Sequence, residues 1–156
     1  MRPDIVRTWA AGAGAIDESY VWHQAAQIWQ TPGIGEQFMA QMSPEASVPI
    51  FVADGMPEAI AREVAAGVDD RMKAAVLPLY RSAVNVGKEW GPDLEGVDRP
   101  GLLIWGEKDQ YMGMDFARRM AARTKAELVT VPGGHWWPVQ FPKEAAEALE
   151  RHWARG

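Results

Sequence analysis

The chain has no cysteine among its 156 residues. That excludes disulfides, a thiolate nucleophile and cysteine-bound metal. It also fits a reducing compartment, so a cytoplasmic protein is the expectation. Positive charge is in deficit: 16 Lys and Arg stand against 21 Asp and Glu, for a net charge of −5. Such a balance gives no basic patch for nucleic acid. Histidine is scarce, and His23, His135 and His152 are too scattered for a metal site. Neither a metal nor another cofactor is therefore expected. No apolar run reaches the length of a membrane span, so no membrane partner is expected. The opening Met1-Arg2-Pro3-Asp4 lacks the apolar stretch of a secretion signal. Gly12-Ala13-Gly14 is too short for a phosphate cradle and lacks a following Lys-Ser/Thr.

Apolar residues, by contrast, make up 47% of the chain, which suffices for a core. Eight tryptophans are many for this length. Such rings fill cores, and they also line apolar pockets.

The pattern along the chain divides it in three. Residues 1–14 read as a core strand running into a glycine-rich end. Residues 15–92 read as helical. Asp17 or Ser19 caps a helix carrying Tyr20, Trp22 and Trp29, which Thr31-Pro32-Gly33 stops. A short helix over 35–42 follows. Val48-Pro49-Ile50-Phe51-Val52-Ala53 looks like a strand, but Pro49 argues equally for a loop or short helix. Pro57 opens a helix to about residue 66, and Asp69 and Asp70 open a longer one through Val86, kinked at Pro78. Residues 93–156 alternate strand and helix: strand 101–105, helix 115–124, strand 127–131 and helix 142–154. On the last helix Ala145, Leu149 and Trp153 are expected to be buried. The alternation implies a parallel βαβ unit.

The chemistry gathers at the ends of those two strands. Gly101-Leu102-Leu103-Ile104-Trp105-Gly106 leads to Asp109, and Glu127-Leu128-Val129-Thr130-Val131 leads to His135. In a parallel sheet, ligands bind beyond the carboxyl ends of the strands. A carboxylate on one imidazole nitrogen fixes the tautomer and stabilises the imidazolium formed in catalysis. The blander reading is a turn aspartate and a loop histidine. A nucleophile is missing: Ser19, Ser43, Ser47 and Ser82 all lack glycines at the offsets of a strand-to-helix elbow.

Pro100-Gly101-Leu102-Leu103-Ile104-Trp105-Gly106-Glu107-Lys108-Asp109 resembles the penultimate strand and acid turn of the α/β-hydrolase family. Val131-Pro132-Gly133-Gly134-His135-Trp136, with Phe141-Pro142-Lys143-Glu144, resembles that family's histidine loop and final helix. The helical stretch resembles the family's cap, and Tyr80-Arg81 resembles the cap tyrosine of its epoxide hydrolases. The resemblance implies an α/β fold, the C-terminal portion of an α/β hydrolase, with about three parallel strands, flanking helices and a helical cap. It implies that Asp109 and His135 are the catalytic acid and base. Gln140 stands where the family usually has a glutamate, which predicts a weakened local hydrogen bond.

Tyr80, Trp22, His23 and Trp136 are candidate substrate contacts; each is equally a packing residue. His152 is expected to meet the dipole at the end of its helix. Two functions stay open. One is the C-terminal part of a hydrolase for a small, largely apolar ester, epoxide or halide, inactive without its nucleophile. The other is a non-catalytic module that binds a hydrophobic ligand or a protein. Its motive is an exposed strand edge at residues 5–10, open to an N-terminal half or to self-association.

Overall fold

The computed structural model describes residues 5–14 and 16–155. Among the described residues the sheet has three parallel strands, β1 (Trp9–Ala11), β2 (Gly101–Gly106) and β3 (Glu127–Val131), in the order β1-β2-β3. Between β1 and β2 the described residues form α1 (Gln24–Gln30), α2 (Ile34–Gln41), α3 (Pro44–Ala53), α4 (Glu58–Ala65), α5 (Asp70–Ser82) and α6 (Val86–Trp90). A 3₁₀ turn at Gly91–Gly96 leads into β2. Then come α7 (Met114–Thr124), β3, a short α8 (Trp137–Gln140) and α9 (Pro142–Arg155).

β2 anchors the fold, and every one of its residues is buried. Successive strand side chains point to opposite faces. Leu103 and Trp105 accordingly join Met112, Ala117 and Met120 on the α7 side. Leu102 and Ile104 join Val131 and Ala148 on the α9 side. A strand covered on both faces must be apolar throughout, which is why 101–106 shows no alternation. The Trp105 indole nitrogen donates to the Met112 carbonyl at 2.6 Å, so the largest core ring is also satisfied.

Several expectations need correction. The first strand covers only Trp9–Ala11, because β2 offers partners from Gly101 onward. Residues 5–8 pair with no strand among the described residues, and Ile5 is 73% exposed; residues 1–4 and 15 lie outside the described set. Neither Asp17 nor Ser19 caps a helix. Asp17 closes a tight turn by accepting from the Ser19 amide at 2.9 Å, and it holds Arg119 of α7 at 2.8 Å. The cap of α1 is His23, whose Nδ1 accepts from the Ala26 amide at 3.3 Å. Tyr20 and Trp22 therefore precede the helix.

The ambiguous stretch 48–53 is helical: Ser43 caps α3 by accepting from the Ala46 amide at 3.2 Å, and Pro44 suits its first turn. The helix opened by Asp69 ends at Ser82, and Gly87 lies inside α6. On α9 the buried residues are Ala145, Ala148 and His152, whereas Trp153 is 49% exposed. His152 is packed inside, and its Nε2 has no hydrogen-bond partner among the described residues. No helix among the described residues is long and apolar enough to cross a membrane.

Candidate active site

Parallel pairing of β2 and β3, with Gly106 opposite Val131, brings both strand ends to the same edge of the sheet. The two following loops then run together. Glu107 N donates to Val131 O and Lys108 N to Gly133 O, each at 2.9 Å. Gly106 permits this approach, since a Cβ there would collide with the carbonyl oxygens of Gly133 and Gly134. The acid loop and the histidine loop are thereby zipped, backbone to backbone.

The zip delivers the pair. His135 Nδ1 lies 3.0 Å from Asp109 Oδ2. The Asp109 side chain has no exposed surface, whereas that of His135 is 31% exposed. Asp109 Oδ1 accepts from the amides of Tyr111 and Met112, both at 2.9 Å. Burial pushes the Asp109 carboxyl up. The His135 ring and the two amides outweigh burial and hold it below its ordinary value. An ionised Asp109 draws the ring proton to Nδ1 and leaves the Nε2 lone pair free for chemistry. The two nitrogens thus have different tasks, fixed by a carboxylate that is itself fixed by backbone.

A chain of rings extends from His135. Tyr111 lies edge-on at 4.9 Å and Trp136 at 5.6 Å. Tyr111 meets His23 at 4.8 Å, His23 meets Trp29 at 5.9 Å, and Trp29 meets Tyr80 at 4.6 Å. Trp22 packs on Tyr80 at 5.5 Å. The structure therefore brings Trp136 against His135, and His23 one ring away. Tyr80 and Trp22 sit at the far end of the chain of rings, with no ring contact to His135. Burial, reinforced by the neighbouring His135, pushes the His23 imidazole below its ordinary value. Because its Nδ1 caps α1, a neutral His23 carries its proton on Nε2.

Two residues were not anticipated. Tyr111 Oη donates to Asp54 Oδ2 at 2.6 Å, and Gln110 Nε2 donates to Asp54 Oδ1 at 2.9 Å. Burial and the Asp54 carboxylate push the Tyr111 hydroxyl up to about 12. Tyr111 carried a signal, being two positions past the acid; Asp54 carried only an Asp-Gly turn. Gln140 ties two backbone segments together. Its Oε1 accepts from the Gly134 amide at 2.8 Å, a normal bond, and its Nε2 donates to Gly55 O at 2.6 Å. An amide does both, where a carboxylate could only accept.

Two surface clefts lie away from the pair. One, of about 510 Å³, is lined by Val48, Val52 and Arg62 of α3 and α4. The other, of about 590 Å³, is lined by Asp17, Gly91 and Arg119. Neither cleft is lined by Asp109 or His135. Among the described residues no cluster of His, Asp and Glu is close enough to hold a metal ion.

Comparison with solved structures defines the fold. An enol-lactonase from Burkholderia xenovorans LB400 superposes with a TM-score of 0.64 at 15% identity, over 97% of this chain and 57% of that one. The fold is that of an α/β hydrolase, in part. A thermophilic esterase from Thermogutta terrifontis matches with a TM-score of 0.59 at 17% identity, over 98% of this chain and 57% of its own. An α/β-hydrolase-fold protein from Nakamurella multipartita gives 0.55 at 20% identity, over 97% and 61%. The chain thus spans a little over half the length of the structures it matches. No protein-family model matches the sequence. No curated protein matches it either.

Proposed function

We propose that this chain supplies the acid and the histidine of an α/β-fold hydrolase, with the nucleophile contributed from elsewhere in the sheet. The observation that carries this reading is the 3.0 Å bond from His135 Nδ1 to a fully buried Asp109, at two adjacent parallel strand ends. Asp109 orients the ring. His135 Nε2 takes a proton from the attacking hydroxyl or water and returns it to the leaving group. Residues 15–92 act as a cap, and its aromatic wall favours a small, largely apolar ester, epoxide or halide. Tyr80 and Trp22 sit where they would touch only the outer part of such a substrate; His23 and Trp136 sit nearer the reacting bond. The open edge of β1 is where further strands of the intact sheet would pair, and exposed Ile5 fits a surface that a partner covers. A second copy joined along that edge is the alternative occupant.

The test is chemical and needs no substrate. Diethyl pyrocarbonate acylates an imidazole lone pair, and mass spectrometry reads the site. His135 is expected to react fastest of the three histidines. Asp109→Asn is expected to slow it. The side-chain oxygen of that variant must still serve two backbone amides, so its NH₂ faces Nδ1 and forces the ring proton onto Nε2. Reaction at His135 no faster than at His152, or unslowed in Asp109→Asn, would sink the assignment. On p-nitrophenyl acetate the same protein should run about 10⁶-fold below a complete triad. Full turnover lost in His135→Ala would keep the pair and refute the missing nucleophile.

A further inference from the structure

We infer that Asp54 is a positioning residue for the Asp109–His135 pair, acting through Tyr111, and that Gln140 is the second tie of the same latch. The inference rests on the pair being catalytic, as proposed above. Among the elements, α3 and α4 pack mainly on each other. Their connection, Asp54-Gly55, reaches the site and is bound there at three points. Tyr111 Oη and Gln110 Nε2, both from the acid loop, donate to Asp54 at 2.6 and 2.9 Å. Gln140 Nε2, from the helix after the histidine loop, donates to Gly55 O at 2.6 Å. One carboxylate thus binds the acid loop and one amide binds the histidine loop.

The geometry links this latch to His135 from two sides. Tyr111 covers one edge of the His135 ring at 4.9 Å, and its hydroxyl is spent on Asp54. Trp136 covers another at 5.6 Å, and it packs on Phe51 of α3 at 6.1 Å. With Asp54 in place, Tyr111 is held against the His135 ring, beside the Asp109–His135 bond. Without it, a part-buried phenol loses its acceptor and must turn toward water, uncovering the imidazole. The donors on Asp54 are both neutral, so the carboxylate is committed to orientation and not to neutralising a cation. Gly55 is dictated twice: its φ is 92°, and a Cβ would sit 2.7 Å from Gln140 Nε2.

Low-field proton NMR of the whole protein reads the Nδ1–H of His135 directly. In the wild type a protected resonance is expected, absent in Asp109→Asn. Asp54→Ala and Tyr111→Phe should each speed its exchange with water by about fivefold or more, as one lost hydrogen bond would. Asp54→Asn, which keeps an oxygen for Tyr111, should restore most of the protection. Amide exchange over residues 44–65 should rise by a similar factor, about fivefold, in Asp54→Ala and Gln140→Glu, with β2 and β3 unchanged. A wild-type resonance indifferent to both Asp54→Ala and Tyr111→Phe overturns the latch and leaves the pair standing. No resonance in the wild type overturns the pair instead. Amide exchange then still decides the latch, and unaltered protection over 44–65 refutes it. Tyr111→Phe removes a single oxygen, so the question survives a failure of Asp54→Ala to fold.

Discussion

The strand–helix–strand–helix end and the helical insertion are built on different principles. From β2 to α9, each element rests on one central strand with both faces covered. In the insertion no element plays that part. Its helices are short and held pairwise, by caps, by edge-on rings and by ties to the other region such as Arg119 on Asp17. α3 even turns Ile50 and Val52 outward. The lesson is where each region keeps its stability: the first in buried area, the second in a scatter of local bonds. A region of the second kind opens more readily.

The sharpest way to break this contrast is Trp105→Ala. Trp105 has no exposed surface and spends its indole N–H on Met112 O. Emptying that space should cost about 3–5 kcal/mol. That is a large share of the stability of an ordinary domain, and both regions should unfold together. Urea unfolding followed by circular dichroism, which sees the helices, and by hydrogen exchange at β2 would check this. Helices that survive loss of the sheet would show that the insertion stands alone.

The same contrast governs what could be read from sequence. β2 was legible because a doubly covered strand is an unbroken apolar run, bounded here by Pro100 and Gly106, and β3 because its β-branched Val129, Thr130 and Val131 favour a strand. α3 was not. Val48-Pro49-Ile50-Phe51-Val52 is apolar on all sides, so it shows no helical period, and its β-branched residues favour a strand. Two local bonds decided it: the Ser43 cap and the Ser47 hydroxyl on Ser43 O at 2.7 Å. On α9 Ala145 is buried and Leu149 packs against the core as expected, and the stripe departs from the reading at Trp153. Small Ala148 with His152 faces the sheet, where a bulky Trp153 was expected. The Asp109–His135 pair was legible since strand ends place it. Its partner Asp54 was not, because 57 positions separate it from Tyr111 and nothing local marks the contact.

At the junction of the two regions, Asp109 links stability to pH. Its folded-state carboxyl titrates below its ordinary value of 3.8, held down by His135 and two amides against the effect of burial. A depressed value stabilises the fold above the unfolded pKa, and that contribution fades as pH falls through the folded one. Asp109→Asn should therefore lose about 2 kcal/mol at neutral pH, the scale of hydrogen bonds to a charged group. The loss should shrink toward zero below the folded pKa, where the wild-type carboxyl is protonated too. Urea midpoints measured down through the acid range would show the two curves converging. A constant gap would assign the loss to packing and not to charge.

The smallest effect sharpens the comparison from the helical side. Asp69 caps α5 by accepting from the Met72 amide at 2.8 Å, with Asp70 adding negative charge to the first turn. Asp69→Ala should cost about 1 kcal/mol. Where that loss appears matters more than its size. If the insertion is held by scattered local bonds, amide exchange should rise first over α5 and its partner α1, while β2 keeps its protection. Should β2 loosen equally, the two regions form one cooperative unit. The difference between them would then lie in construction alone and would give the insertion no separate freedom to open.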